Sequence, residues 1–282
     1  MCRLLGYLGP TLRLGHLVES APHSLERQSY APREMRGAIV NADGWGAGWY
    51  LAGDAREPNV GQLVPERVAS GRAVPDDEPC VYRSTLPIWA DVNRSELGRA
   101  VRSHCIVAAV RSATDPLSVA AANTQPFRFQ RLLFVHNGFI DGLDGRLRRE
   151  LLGTLSDTAY GLIRGNTDSE LVFARLVDAW LAGHTNERRL AVATASTVQL
   201  LSSLCDGAHR RALFTLLVSD GHELVAVRAA SNDQAPSLYV RKNHAAWIAS
   251  EPLDDEPGWE PIPERSLVVA QADAPHRIEA LA

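Results

Sequence analysis

The chain has 282 residues, 45% of them apolar and 22% charged, enough to bury a sizeable core in one large domain or two small ones. A net charge of −4 leaves no polybasic footprint for nucleic acid or an anionic membrane surface. There is no charged-then-apolar leader, no membrane-length run and no zinc pattern among Cys2, Cys80, Cys105 and Cys205, so a reduced cytoplasmic protein without metal or cofactor is expected.

Position 2 is the first informative residue. Removal of Met1 would leave Cys2 with a thiol and a free α-amine on one residue. An α-amine titrates at about 7.7–8.0 and a free thiol near roughly 8.5, so the amine can take the thiol proton near neutral pH. The plain alternative is a cysteine at position 2 by chance.

Gly37–Asn41 and Ala47–Leu51 predict two strands joined by a turn over Ala42-Asp43-Gly44-Trp45-Gly46. This Gly-rich stretch lacks the phosphate-loop pattern, so its glycines suit close packing. Trp45, Trp49 and Tyr50 suit a core, or alternatively a pocket wall. Pro58–Asp77 predicts a long surface loop and Asp254–Pro263 a second.

The apolar run His104–Arg111 predicts a buried strand that delivers Arg111 at its end, with Cys105 as a small buried hydrophobe. Its planar fork suits a carboxylate; an ordinary surface ion pair is the alternative. Asn123-Thr124-Gln125-Pro126-Phe127 fits a pocket-lining loop. The strand Arg131–His136 runs into Asn137-Gly138, where an amide and a Gly N–H can donate to an oxyanion or form a simple turn.

Thr167-Asp168-Ser169-Glu170 reads as a capping box, followed by Leu171, Val172, Leu176 and Val177 at helical spacing. Capping accounts for Thr167 and Glu170 and leaves Asp168 available for a substrate ammonium. Glu187–Leu204 predicts a second helix. Ala212–Ser219 and Glu223–Arg228 form a hairpin around Asp220-Gly221-His222, and Tyr239–Arg241, Ala245–Ala249 and Leu267–Ala270 add strands. Strands on either side of a helical pair predict a layered α+β fold with mostly antiparallel sheets.

Taken in order, Met1-Cys2, Asp43-Gly44-Trp45-Gly46, Arg111-Ser112-Ala113-Thr114, Asn123-Thr124-Gln125-Pro126-Phe127, His136-Asn137-Gly138 and Asn166-Thr167-Asp168-Ser169-Glu170 resemble the class II glutamine amidotransferases, a family of N-terminal nucleophile hydrolases. The resemblance spans roughly the first two-thirds of the chain. It implies a four-layer α/β/β/α sandwich of two antiparallel sheets, with residues 1–282 as a single hydrolase domain. It also implies roles: Cys2 as nucleophile with its own amine as base, Asn137 and Gly138 as oxyanion hole, Arg111 on the α-carboxylate of a glutamyl group and Asp168 on its α-ammonium, with Thr114 as a further substrate contact.

Three departures from the family pattern bear on substrate. Ser112 stands where many members carry an aromatic residue and Gln125 where many carry His. Only about a hundred residues follow the motifs, and they read as strands of the same sandwich, so a synthase domain is not expected. A stand-alone γ-glutamyl hydrolase is the natural reading, acting on a small-molecule substrate. Tyr30-Ala31-Pro32-Arg33, Asn41–Gly48 and Val110–Thr114 look most like the γ-glutamyl hydrolases of ergothioneine biosynthesis, whose substrate bears a trimethylammonium group. Tyr30, Trp45 or Trp89 would then face that cation. Other γ-glutamyl peptides, glutamine, ammonia delivery to a separate synthase, and an inactive binding protein are the rival readings.

Overall fold

The computed structural model describes residues 2–35, 40–51, 78–113, 119–143, 145–183 and 188–281. Sheet 1 contains β1 (Arg3–Arg13), β2 (Trp45–Trp49), β3 (Cys80–Ser84), β4 (Arg102–Val110), β9 (Tyr239–Lys242), β10 (Ala246–Ala249) and β11 (Glu260–Pro261), in the order β11-β9-β10-β1-β4-β2-β3. Sheet 2 contains β5 (Phe127–Phe129), β6 (Leu132–Ile140), β7 (Ala212–Ser219), β8 (Glu223–Ser231), β12 (Ser266–Gln271) and β13 (Ala274–Ala280), in the order β13-β12-β8-β7-β6-β5. Every pairing is antiparallel.

Side-chain alternation sorts these strands into layers. Leu4 and Leu8 of β1 and Cys105 and Val107 of β4 pack between the sheets against Leu133, Val135 and Leu217. The opposite face of sheet 1, with Leu5, Tyr7 and Ile106, is covered by Leu17, Val18 and the short helix α1 (Leu25–Tyr30). A further helix, α2 (Asn93–Ala100), precedes β4. The outer face of sheet 2, with Leu132, Phe134 and Leu216, is covered by α5 (Asp168–Ala182) and α6 (Arg189–Gly207), while α3 (Gly145–Gly153) and α4 (Asp157–Tyr160) lead into them. The result is the four-layer α/β/β/α sandwich. Truncating a fully buried member such as Leu133 to Ala should cost about 2–5 kcal/mol. Among the described residues, no helix is long and apolar enough to cross a membrane.

The hairpin β7–β8 turns at Asp220-Gly221-His222 as its local chemistry dictates, with Gly221 at φ +89 and the Asp220 carboxylate accepting from the His222 and Glu223 N–H groups. Two expectations are corrected. The end of the predicted turn, Trp45-Gly46, already belongs to strand β2, and Asn41 is tied back to Ser29 through its backbone N–H. Residues 36–39 of the first predicted strand, and the predicted loop Pro58–Asp77, lie outside the described residues. The second predicted loop, Asp254–Pro263, contains strand β11, and its Asp254 carboxylate pairs with Arg241.

Candidate active site

A cleft of about 370 Å³ opens at the end of the sandwich where β1 begins, lined by Cys2, Arg111, Asn123, Gly138, Asn166 and Asp168 among others. Register explains the convergence. Arg3 pairs with Val110 and Leu4 with Ala109, so one step further brings Cys2 opposite Arg111. Because Leu4 and Ala109 face sheet 2, the alternation turns Cys2 and Arg111 toward sheet 2 as well. On β6, Leu133 and Val135 face sheet 1, which places Asn137 on the same inter-sheet face. The interior there changes from hydrocarbon to polar groups.

The half-buried Cys2 thiol lies 4.0 Å from the Ser112 carbonyl, toward which it can donate. Asp43 fixes the segment that carries Arg111. Its carboxylate accepts the Ala113 N–H at 2.7 Å, its own N–H donates to the Arg111 carbonyl at 3.0 Å, and the Arg111 N–H donates to the Gly44 carbonyl at 2.8 Å. Gly44 adopts φ +117, and a Cβ there would stand 2.7 Å from the Ser84 carbonyl oxygen, so the corner requires glycine. The glycine-rich stretch therefore braces Arg111.

Asn137 is fully buried, and neither its Nδ2 nor its Oδ1 has a hydrogen-bond partner. Natural proteins rarely leave both ends of a buried amide unpaired, because each such group costs about 1–3 kcal/mol. Gly138 follows at the cleft wall, where a Cβ would sit 1.9 Å from the Leu213 carbonyl oxygen. Only glycine fits there.

Asp168 occupies the first turn of α5, with Thr167 as N-cap. One carboxylate oxygen accepts the Ile140 N–H at 2.9 Å and the other the Ser169 N–H at 2.7 Å. Behind it lies buried His136. Its Nε2 is 2.9 Å from the Leu213 carbonyl, which can only accept, so Nε2 carries the proton and Nδ1 accepts from the Ser169 hydroxyl at 3.0 Å. Burial lowers the His136 pKa, against the opposing pull of Asp168, and the ring stays neutral. Gln125 grips the His136 backbone from the other side, donating to its carbonyl and accepting from its N–H.

The predicted capping box holds only in part. The Glu170 N–H donates to Thr167 Oγ1, but the Glu170 carboxylate accepts from the Arg164 and Gly165 N–H groups instead of returning to the N-cap. Asn123 and Asn166 bond reciprocally, Nδ2 of Asn123 to Oδ1 of Asn166 at 2.9 Å and the Asn166 N–H to Oδ1 of Asn123 at 3.1 Å.

Of the predicted site residues, Cys2, Arg111, Gly138 and Asp168 line one cleft, joined by Ser112, Asn123 and Gln125. Thr114 lies outside the described residues. None of the three aromatic candidates borders the cleft. Trp45 is fully buried and donates its indole N–H to Asp91, which corrects its assignment as a cation contact and fits its reading as core. Tyr30 and Trp89 meet edge to face at the surface, 5.9 Å apart. Sequence reasoning missed the brace at Asp43–Ala113 and the His136–Ser169 contact; each joins residues far apart in the chain.

Residues 17–242 match the family described as class-II glutamine amidotransferases. The chain belongs to the class II glutamine amidotransferase family. It is similar to the gamma-glutamyl-hercynylcysteine sulfoxide hydrolase of Mycobacterium tuberculosis, with 30% identity over 95% of this chain and 92% of the relative. The same-named hydrolase of Mycolicibacterium smegmatis is also 30% identical, over 95% of each chain. A solved structure of a glutamine aminotransferase class-II domain protein from Silicibacter pomeroyi superimposes with a TM-score of 0.66 at 23% identity, each chain covered in full, so the N-terminal nucleophile hydrolase fold is shared. As a member of this family, the protein is an enzyme of γ-glutamyl amide chemistry.

Proposed function

We propose that the protein hydrolyses the γ-glutamyl amide bond of γ-glutamyl-hercynylcysteine sulfoxide, releasing glutamate and hercynylcysteine sulfoxide through a Cys2 thioester. The observation that carries the chemistry is the single cleft in which a thiol, a guanidinium and an anchored carboxylate meet beside the buried, unpartnered Asn137 amide. The leaving group rests on the names of the two mycobacterial relatives.

Arg111 takes the α-carboxylate of the glutamyl group through its fork, and Asp168 takes the α-ammonium. These contacts fix the γ-carbonyl against Cys2. The freed α-amine of Cys2 accepts the thiol proton, and sulfur adds to the carbonyl carbon. The oxyanion then receives hydrogen bonds from Asn137 Nδ2 and the Gly138 N–H. Collapse breaks the C–N bond, the leaving amine carries off the proton held by the Cys2 amine, and a thioester remains. Water, deprotonated by the same amine, cleaves the thioester and regenerates the thiol.

The test is glutamate release from γ-glutamyl-hercynylcysteine sulfoxide, with Cys2→Ala as control and glutamine and γ-glutamyl peptides as competing substrates. The sulfoxide should lead by a wide margin in kcat/KM, and Cys2→Ala should be inactive. A preference for glutamine, rising on addition of a co-purifying synthase, would replace this reading with ammonia supply.

A further inference from the structure

A second cleft, of about 430 Å³, lies on the far side of the segments that line the Cys2 site. The two share no lining residue, yet their residues alternate along the same stretches: Asn123 and Gln125 face Cys2 while Phe127 and Arg128 face away, and Asp168 faces Cys2 while Arg164, Glu170 and Phe173 face away.

Three guanidiniums meet at this second cleft. Arg83 is half-buried in its lining, with Nε donating to the Pro126 carbonyl at 2.8 Å and the guanidinium carbon over the Phe127 ring, 5.9 Å from its centroid. Arg128 is anchored by one nitrogen to the Pro79 carbonyl at 2.9 Å, and it also borders the shallower groove next to Arg83. Arg164 stands exposed at the rim. Elsewhere Arg94, Arg211 and Arg241 pair with carboxylates; among the described residues Arg83, Arg128 and Arg164 form no such pair. Among the described lining residues the one carboxylate, Glu170, is already engaged by the Arg164 and Gly165 backbone N–H groups. Burial, and then the like charge of Arg128, lower the Arg83 pKa, with Glu170 opposing. Like charges gathered in a concave, partly apolar site are unfavourable until an anion neutralises them.

We propose that this cleft binds a small organic oxyanion, a carboxylate or phosphate monoester on a compact apolar body. The guanidinium forks match the planar or tetrahedral oxygens of such a group. Phe127 and Phe173 at the wall supply apolar contact, and the cleft volume limits the ligand to a small molecule. The site is distinct from Arg111, so the assignment does not depend on the reaction proposed above.

The experiment is calorimetric titration of the full chain with phenyl phosphate and with phenylacetate, and with the neutral phenylacetamide as control. Expected are saturable binding of at least one anion at one site per chain, weakening with added salt, and no binding of the amide. Affinity should fall at least tenfold in Arg83→Met and in Arg128→Gln, and hold in Arg111→Lys. Arg128→Gln is exposed and should keep the thermal melt and glutamate release of the parent, which excludes misfolding as the cause. Which anion binds distinguishes phosphate from carboxylate recognition. Absence of saturable binding by both anions, equal binding of the amide, unchanged affinity in Arg83→Met and Arg128→Gln, or loss in Arg111→Lys alone would each overturn the proposal.

Discussion

Asn137→Ala should separate activity from stability in a way few active-site substitutions do. If the amide donates to the oxyanion only during the reaction, its loss removes about 2.7–4 kcal/mol of transition-state stabilisation, or roughly 10²–10³ in kcat. The resting protein gains from the same change. Both polar atoms of Asn137 are buried and unpaired, so deleting them relieves a penalty of about 1–3 kcal/mol, partly offset by a small cavity at about 24 cal/mol per Å³. The variant should therefore melt at or above the parent temperature, by about 2–4 °C per kcal/mol gained. Asn123→Ala is the contrast: its amide bonds Asn166 in both directions, and its loss should destabilise by about 1–3 kcal/mol. Glutamate release under saturating substrate, together with thermal melts of the three proteins, makes the comparison. Near-parental turnover of Asn137→Ala would refute the oxyanion role. A clear drop in its melting temperature would refute the claim that the amide is unpaired at rest.

Arg111→Lys replaces a fork with a point charge and should raise KM by about 10–100-fold with kcat within a few fold, measured by initial rates. Asp43→Ala removes the charge-assisted bond to the Ala113 N–H and frees the Arg111 segment; kcat/KM should fall at least tenfold while far-ultraviolet dichroism is unchanged. His136 has a folded-state pKa below its unfolded value of about 6.5, so the unfolded chain takes up the proton first. Stability should be full above that pH and decline as pH falls below it, and His136→Gln should flatten this slope in denaturant titrations at several pH values. Glu223 shows the opposite sign: burial, with Asp220 next, raises its carboxyl to about 7. Its stabilising contribution is complete below the ordinary carboxylate range and is lost as pH rises through about 7, so Glu223→Gln should resist alkaline destabilisation better than the parent.

Elements governed by neighbouring residues were legible in the sequence. The turn at Asp220-Gly221-His222, the Thr167 cap and the apolar runs of β4 and β6 are set by chemistry within a few positions. Strand β1 carries no clean alternation, since Gly6, Gly9 and Pro10 interrupt it and its register shifts between Leu8 and Leu12; its place in sheet 1 is decided by β4 and β10, far away in the chain. The candidate site followed the same division. Motif order brought Cys2, Arg111, Gly138 and Asp168 to one cleft, whereas the Asp43–Ala113 brace and the placement of Trp45 against Asp91 depend on packing between distant segments. Glu170 was misread because a free backbone turn at Arg164-Gly165 competes for its carboxylate with the N-cap.

Strand β1 is bonded on both edges, by β4 on one side and β10 on the other, and Cys2 stands directly at its start. Amide hydrogens along Leu4–Leu8 should exchange with solvent only through global opening, while those near the short α1 and around Asp43 exchange through smaller fluctuations. Cys2 and Arg111, which follows the equally central β4, should thus both stand at the ends of slowly exchanging strands, while the Asp43 segment that braces Arg111 should open first. On warming, substrate affinity should weaken before thiol reactivity changes, and irreversible loss of the nucleophile should coincide with the unfolding of the whole sandwich.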